Sequence, residues 1–245
     1  MDGKALGLTE RDRFVLSEVS RFGVVTRDQL MRLKLFGSKT RANERLRKLV
    51  AEGYLAAKRQ PLHVGGPRFV YLPGPALKDG QEARRRWSDA SDLFLHHQLG
   101  LVDIRLAFEQ HTTLARWATD KELASSTLGV VPDAYLEYEA RGLTFCCFIE
   151  YDRGTETVSR VDKKVQAYVD LAYSGRFERT FGRRFFRVLL ITDSPRRLTV
   201  LYQSATRITD KIVRFTTLQQ LSQDGPLASI WRRPGIQTPE SLTVS

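Results

Sequence analysis

The chain has 245 residues, 42% hydrophobic and 27% charged, the composition of one large globular domain or two modest ones. No run of about 18 or more apolar residues occurs, and Met1-Asp2-Gly3-Lys4 lacks the charged-then-apolar pattern of a secretory signal; no transmembrane helix is indicated and a cytoplasmic protein is expected. The formal net charge of +11, with a pI of about 9.9, points to an anionic partner.

That charge is uneven: residues 1–80 hold 16 Lys/Arg against 8 Asp/Glu, and residues 81–245 hold 23 against 20. In the basic third, Thr9 and Glu10 open a helix with apolar positions Leu8, Phe14, Val15, Val19 and Phe22, and Gly23 stops it. Val24 and Val25 are β-branched. Thr26 caps a second helix over 27–33, and Ser38 caps a third from Lys39 to Glu52, ended by Gly53 as a left-handed C′ residue. Ala42, Leu46, Leu49 and Val50 form its inward stripe; Lys39, Arg41, Arg45, Arg47 and Lys48 lie off it. Tyr54-Leu55 begins a strand, Lys58 to Arg68 reads as a basic turn region, and Phe69 to Leu72 returns before Pro73-Gly74-Pro75.

Three helices followed by a basic-tipped hairpin is the order of a winged helix-turn-helix, in which the third helix enters the major groove and the wing follows the backbone. Lys39, Arg41, Asn43, Arg45, Arg47 and Lys48 are the candidate DNA contacts of the helix; Lys58, Arg59, His63 and Arg68 are those of the wing. Most would touch phosphate, which positions the protein without reading sequence. A solvated charged face on a protein-binding module is the alternative.

Residues 1–75 thus read as one domain, 76–90 as a polar linker that includes Arg84-Arg85-Arg86, 91–218 as a second domain and 219–245 as a loose Pro/Ser/Thr-rich tail in which Trp231-Arg232-Arg233-Pro234 could dock. The second domain opens with a helix over Ser91–His111 carrying Leu95, Leu99, Val102 and Leu106 on one stripe. Strands follow over 116–118, 134–138 and 143–149. Ser159 caps a helix to Tyr173, a strand spans 185–191, a helix 195–208 and a last strand 212–216. This α-β-β-β-α-β-α-β order gives an α/β (α+β) domain with a mixed central sheet. Cys146 and Cys147, the only cysteines, alternate faces on a strand and read as small core residues rather than a disulfide or metal pair.

Asp133 stands at the start of one strand, and Glu150 and Asp152 share a face at the end of the next. Paired as a hairpin, these strands would bring three carboxylates to one sheet edge, an oxygen-rich set suited to Mg²⁺ or Mn²⁺ and to activating water against a phosphodiester. Lys164 and Tyr168, i and i+4 on the following helix, could reach that cluster. Arg153 could meet phosphate at the rim or pair with Glu156. His96 or His97 could approach the site with Asp103, although a buried hydrogen bond is the commoner use of such a histidine.

Pro132-Asp133, sixteen residues, then Glu150-x-Asp152 resembles the PD-(D/E)XK nuclease superfamily, which implies metal binding by Asp133, Glu150 and Asp152 and a restriction-endonuclease-like fold. The usual lysine position holds Asp152. The resemblance moves the lysine role to Lys164, in a Lys164-Val-Gln-Ala-Tyr168 run similar to a Gln-xxx-Tyr motif. More narrowly, the N-terminal module, His96-His97, Asp103-x-Arg105, Pro132-Asp133-Ala134 and the Glu150-Tyr151-Asp152-Arg153-Gly154-Thr155-Glu156 run resemble the replication-relaxation family of plasmid and mobile-element proteins over about residues 8–215.

Three functions stay open on sequence. One is a DNA-binding accessory or regulator of mobile-element replication or transfer, with duplex DNA, a second copy of the chain, or replication and transfer proteins as partners. Another is a metal-dependent DNA endonuclease using Asp133, Glu150, Asp152 and Lys164, in an active or vestigial form. The last is a transcriptional regulator.

Overall fold

A computed structural model describes residues 7–61, 68–77, 90–124 and 127–243. The chain divides into two compact units, Met1–Val102 and Asp103–Ser245. The division falls inside a helix, downstream of the 76–90 linker expected from sequence. Residues 78–89, with Arg84 to Arg86, lie outside the described residues, as does His63.

The first unit runs α1 (Glu10–Phe22), β1 (Val25–Thr26), α2 (Arg27–Arg32), α3 (Lys39–Ala51), β2 (Leu55–Gln60) and β3 (Arg68–Pro73). Each long helix begins where a hydroxyl can take an orphan backbone N–H. Thr9 accepts from Asp12 while the Asp12 carboxylate accepts from the Thr9 N–H at 2.7 Å, a capping box. Thr26 and Gln29 repeat that arrangement on α2, and Ser38 caps α3. Gly53 leaves α3 at φ +74°, the left-handed conformation that glycine takes without a Cβ clash. The three strands form an antiparallel sheet in the order β1-β3-β2, and Val15, Val19, Leu30, Leu46, Leu49 and Leu55 are buried. One boundary departs from the sequence reading. Lys58 and Arg59 belong to β2, not to a turn, because Gln60 is fully buried and pairs with Arg68 across the ladder.

A twenty-residue helix, α4 (Asp92–His111), spans the division between units. The second unit continues with β4 (Thr113–Thr119), α5 (Asp120–Leu123), β5 (Ala134–Ala140), β6 (Leu143–Asp152), α6 (Val158–Tyr173), α7 (Arg176–Phe181), β7 (Arg187–Thr192), α8 (Pro195–Ala205), β8 (Val213–Thr217) and α9 (Leu218–Asp224). The sheet order is β4-β5-β6-β7-β8, antiparallel across β4, β5 and β6 and parallel across β6, β7 and β8. It is the mixed central sheet of an α/β domain, in the order the hydrophobic runs suggested.

Strand alternation sorts the two faces. On one, Tyr135, Cys146, Phe148, Val188 and Leu190 pack with Val161, Val165, Tyr168 and Leu171 of α6 and with Leu198 and Leu201 of α8. On the other, Tyr138 meets Phe108 of α4 with ring centroids 5.4 Å apart. Cys146 and Cys147 are free and buried on opposite faces, and burial pushes the Cys147 thiol up to about 12.

Some boundaries moved. Thr157, rather than Ser159, caps α6. β7 starts at Arg187 rather than Phe185, whose ring is 81% exposed. The described part of the 219–245 segment, to residue 243, is not loose: Trp231 is fully buried, its indole N–H donates to the Pro226 carbonyl at 2.8 Å, and Arg232 bridges to Phe215 of β8. An indole that finds both an apolar pocket and a hydrogen-bond acceptor is held by the fold, whatever the polarity of the sequence around it. No helix among the described residues is long and apolar enough to cross a membrane.

Candidate functional site

The β5–β6 hairpin pairs Ala134 with Ile149, so Asp133 and Glu150 are the next facing positions. Asp133 is fixed there by its own backbone N–H, which donates to the Ile149 carbonyl at 3.1 Å, and by its carboxylate, which accepts from the Tyr151 N–H at 2.8 Å. Glu150 and Asp152 continue the face of Cys146 and Phe148 toward α6 and α8. Both are buried, and both lie where β6 and β7 end in parallel, Glu150 opposite Leu190 and Asp152 opposite Thr192.

Glu150 is met from α6 by two side chains. The Lys164 ammonium donates to one carboxylate oxygen at 2.8 Å and the Tyr168 hydroxyl to the other at 2.5 Å. Burial and the neighbouring Asp133 charge raise the Glu150 pKa to about 7, against the pull of Lys164 and Tyr168. Burial works to lower the Lys164 pKa, but Glu150, Asp133 and Glu156 outweigh it and hold the ammonium above its ordinary value. The Tyr168 phenol is fully buried beside Glu150 and pushed well up.

Asp152 does not join this group. Arg197, one turn into α8, grips it with two hydrogen bonds of 2.9 and 2.8 Å and with a third contact holds the Glu156 carbonyl at 2.7 Å. The Gly154 N–H adds 2.7 Å to the same carboxylate. Three converging carboxylates were expected at this edge. Among the described residues no group of three or more His, Cys, Asp or Glu side chains forms that could hold a metal ion. Asp152 is turned to a bidentate guanidinium, whose fork matches a carboxylate, while Glu150 is turned to Lys164 and Tyr168.

The charged and aromatic side chains of the Glu150–Glu156 run have partners within this unit. The Tyr151 hydroxyl donates to Asp193 at 2.5 Å, and Arg153 pairs with Asp193 at 3.5 Å, not with Glu156 as considered from sequence. Glu156 instead meets Arg160 at 3.3 Å and Lys164 at 3.7 Å. Gly154 turns the chain at φ +79° so that Thr157 can cap α6. Burial, then Asp193 and, least, the charge of Asp103 on α4 push the Tyr151 phenol up, against the pull of Arg153. Arg197 and Asp193 were not singled out from sequence. Their side chains meet β6 only through the parallel crossover, and neither has a spacing signal of its own.

In the first unit the candidate DNA contacts separate into two sets. Lys39, Arg41, Arg47 and Lys48 of α3 and Arg59 of β2 are exposed, and none is in a salt bridge among the described residues. The others are engaged. Arg45 donates through Nε to the fully buried Asp12 at 2.6 Å and through Nη2 to its second oxygen, tying α3 to α1. That pairing, with the bonds from Thr9, overcomes burial and lowers the Asp12 pKa to about 2. Asn43 accepts from Arg27 at 3.2 Å, Lys58 donates to the Ala90 carbonyl at 2.9 Å, and Arg68 donates to Gln60 at 2.8 Å. Arg45 is therefore a fastening between helices rather than an available cation. Sequence could not show this, because Asp12 is 33 residues away.

No curated protein matches the chain, and neither does any solved structure. The model of one protein family, replication-relaxation, matches residues 16–184, a span that includes most of the N-terminal unit, Asp133, the Glu150–Glu156 run, Lys164 and Tyr168. The chain belongs to the replication-relaxation family.

Proposed function

We propose that the chain binds duplex DNA through its first unit, used as a winged helix, and serves as an accessory or regulatory protein of mobile-element replication or transfer. One observation carries this reading: four cations of α3, Lys39, Arg41, Arg47 and Lys48, stand exposed on a helix whose opposite stripe, Ala42, Leu46 and Leu49, is fully buried. A rigidly seated helix with a cationic outer face fits the major groove and its flanking phosphates. Arg59 extends the cationic surface onto the hairpin. The test is fluorescence anisotropy with a labelled duplex. Arg41→Glu with Arg47→Glu is expected to lower affinity at least about 100-fold, since each reversal removes a phosphate contact and adds repulsion; unchanged affinity rejects the assignment.

A second reading, a Mg²⁺- or Mn²⁺-dependent DNA endonuclease, is favoured by the contact of Lys164 with Glu150. The acids that fit a cation are Asp133 and Glu150, an adjacent pair whose mutual repulsion in a buried setting a divalent ion would relieve. Asp152 is held by Arg197, as Glu150 is by Lys164 and Tyr168, and could act as a third ligand only by exchanging that guanidinium. A bound cation would supply water activation and charge stabilisation at a phosphodiester. Of the chain's own groups, Lys164 would hold a cationic donor beside the scissile phosphate, Tyr168 would orient Glu150, and Arg197 would anchor the segment after β6. Supercoiled DNA incubated with Mg²⁺ or Mn²⁺ tests it. Cleavage lost in Asp133→Ala and Glu150→Ala, with duplex binding intact, supports the enzyme; absence of cleavage on supercoiled and linear substrates rejects it.

A further inference from the structure

At the other end of the parallel strands, about 17 Å along β6 from Glu150 at ~3.3 Å per residue, the structure has a cavity of about 380 Å³. It opens between the starts of β6, β7 and β8. Phe145, Phe185, Arg187, Lys211, Arg214 and Arg233 are among the residues that line it, and among the described residues no Asp or Glu does. The size is within the range of small-molecule sites.

Its charge is concentrated and held in place. Arg187 lies over the Phe145 ring, 5.5 Å from the centroid, and also donates to the Leu242 carbonyl. Arg214, only 4% exposed, donates to the Lys211 carbonyl at 2.7 Å and the Val213 carbonyl at 3.0 Å and pairs with Glu240. Arg233 donates through Nε to the Asp210 carbonyl at 2.7 Å. Burial, together with the repulsion of Arg187 and Arg233, lowers the Arg214 pKa, even with Glu240 beside it. Like charges kept this close favour an anion in their midst. At the rim, Lys211 is exposed and the Phe185 ring is 81% exposed, with Arg184 at 5.9 Å from its centroid.

We propose that this cavity is a nucleotide site, which takes a phosphate against Lys211, Arg187 and Arg233 and a flat base against Phe185. Cations beside an exposed ring are the pairing by which proteins hold unpaired nucleotides, since every base offers a stacking face and every nucleotide a phosphate. A carboxylate ligand would use the cations and leave the ring without a role. The nucleotide could be free or part of an unpaired DNA strand.

Calorimetric titration of the full chain tests this with three probes: thymidine 5′-monophosphate, the 5′-phosphorylated dinucleotide pTpT, and inorganic phosphate. Both nucleotides are expected to bind more tightly than phosphate. Phe185→Ala and Lys211→Ala, both surface changes, are each expected to weaken nucleotide binding about 10-fold, with the thermal unfolding temperature unchanged. A pTpT affinity at least about ten times that of the monophosphate identifies a DNA strand as the source; equal affinities identify the free nucleotide. An Arg41→Ala, Arg47→Ala, Lys48→Ala variant is expected to keep nucleotide binding, which separates this site from α3. Phosphate binding as tightly as the nucleotides, no loss in Phe185→Ala and Lys211→Ala, or loss in the α3 variant overturns the proposal.

Discussion

Glu150 is buried next to Asp133 and held by Lys164 and Tyr168, and the balance of these effects has a pH signature. Its folded-state pKa, about 7, lies above the ordinary 4.5, so the folded protein binds this proton more tightly than the unfolded chain. The resulting stability is fully present below about pH 4.5 and is lost as pH rises through about 7. The stability difference between the wild type and Glu150→Gln, from urea midpoints, should therefore move against the wild type across that window; a flat or opposite slope would contradict the assigned environment. Asp12 has the reverse sign. Lowered to about 2, its carboxylate stabilises the fold at pH values above its ordinary 3.8, and that contribution disappears as pH falls through about 2. Arg45→Ala, which leaves buried Asp12 without its guanidinium, should cost about 2–3 kcal/mol. Arg41→Ala and Arg47→Ala, at exposed positions, should each change stability by less than about 0.5 kcal/mol. Equal costs at Arg45 and Arg47 would remove the distinction drawn between them.

At the scale of elements, the segment after β6 depends on Arg197. Its fork joins α8 to Asp152 and to the Glu156 carbonyl, fixing the turn that leads to Thr157 and the start of α6. Arg197→Ala leaves a buried carboxylate unpaired and should lower stability by about 3 kcal/mol. Fast amide hydrogen exchange over residues 152–157 is the local readout, and unchanged protection there would contradict the role. The five strands, the three long helices and the mixed sheet of the second unit were legible in the sequence because 2.0- and 3.6-residue periods report burial directly; the short helices Asp120–Leu123, Arg176–Phe181 and Leu218–Asp224, of two turns or fewer, are too short to show a period. The facing of Asp133 and Glu150 was legible too, because hairpin register follows from neighbouring strands. The engagement of Asp152 by Arg197 and of Arg45 by Asp12 was not. Each joins elements 33 or 45 residues apart, and nothing in a local period marks which arginine will be turned inward. The polar tail misled for a related reason: its composition reads as loose, and a single indole decides otherwise. Trp231→Ala should accordingly cost about 3–5 kcal/mol, measured by denaturant unfolding, whereas a loose tail would show no cost.

For the whole molecule, charge distribution and family membership point the same way. Most of the basic excess lies in the first 80 residues, and the family match is to replication-relaxation. The proposed division of labour gives duplex binding to the first unit and leaves the second with a facing acid pair, a lysine and a tyrosine at one end of its sheet. The measurement that tests the central proposal most directly is duplex affinity as a function of salt for the wild type and for Arg41→Ala, Arg47→Ala, Lys48→Ala. The wild type should lose affinity steeply between about 50 and 200 mM salt, and the variant's log–log slope should be smaller by about 2–3, one counterion-release increment of about 0.9 for each lost phosphate contact. A variant that keeps both the affinity and the slope of the wild type would contradict the account.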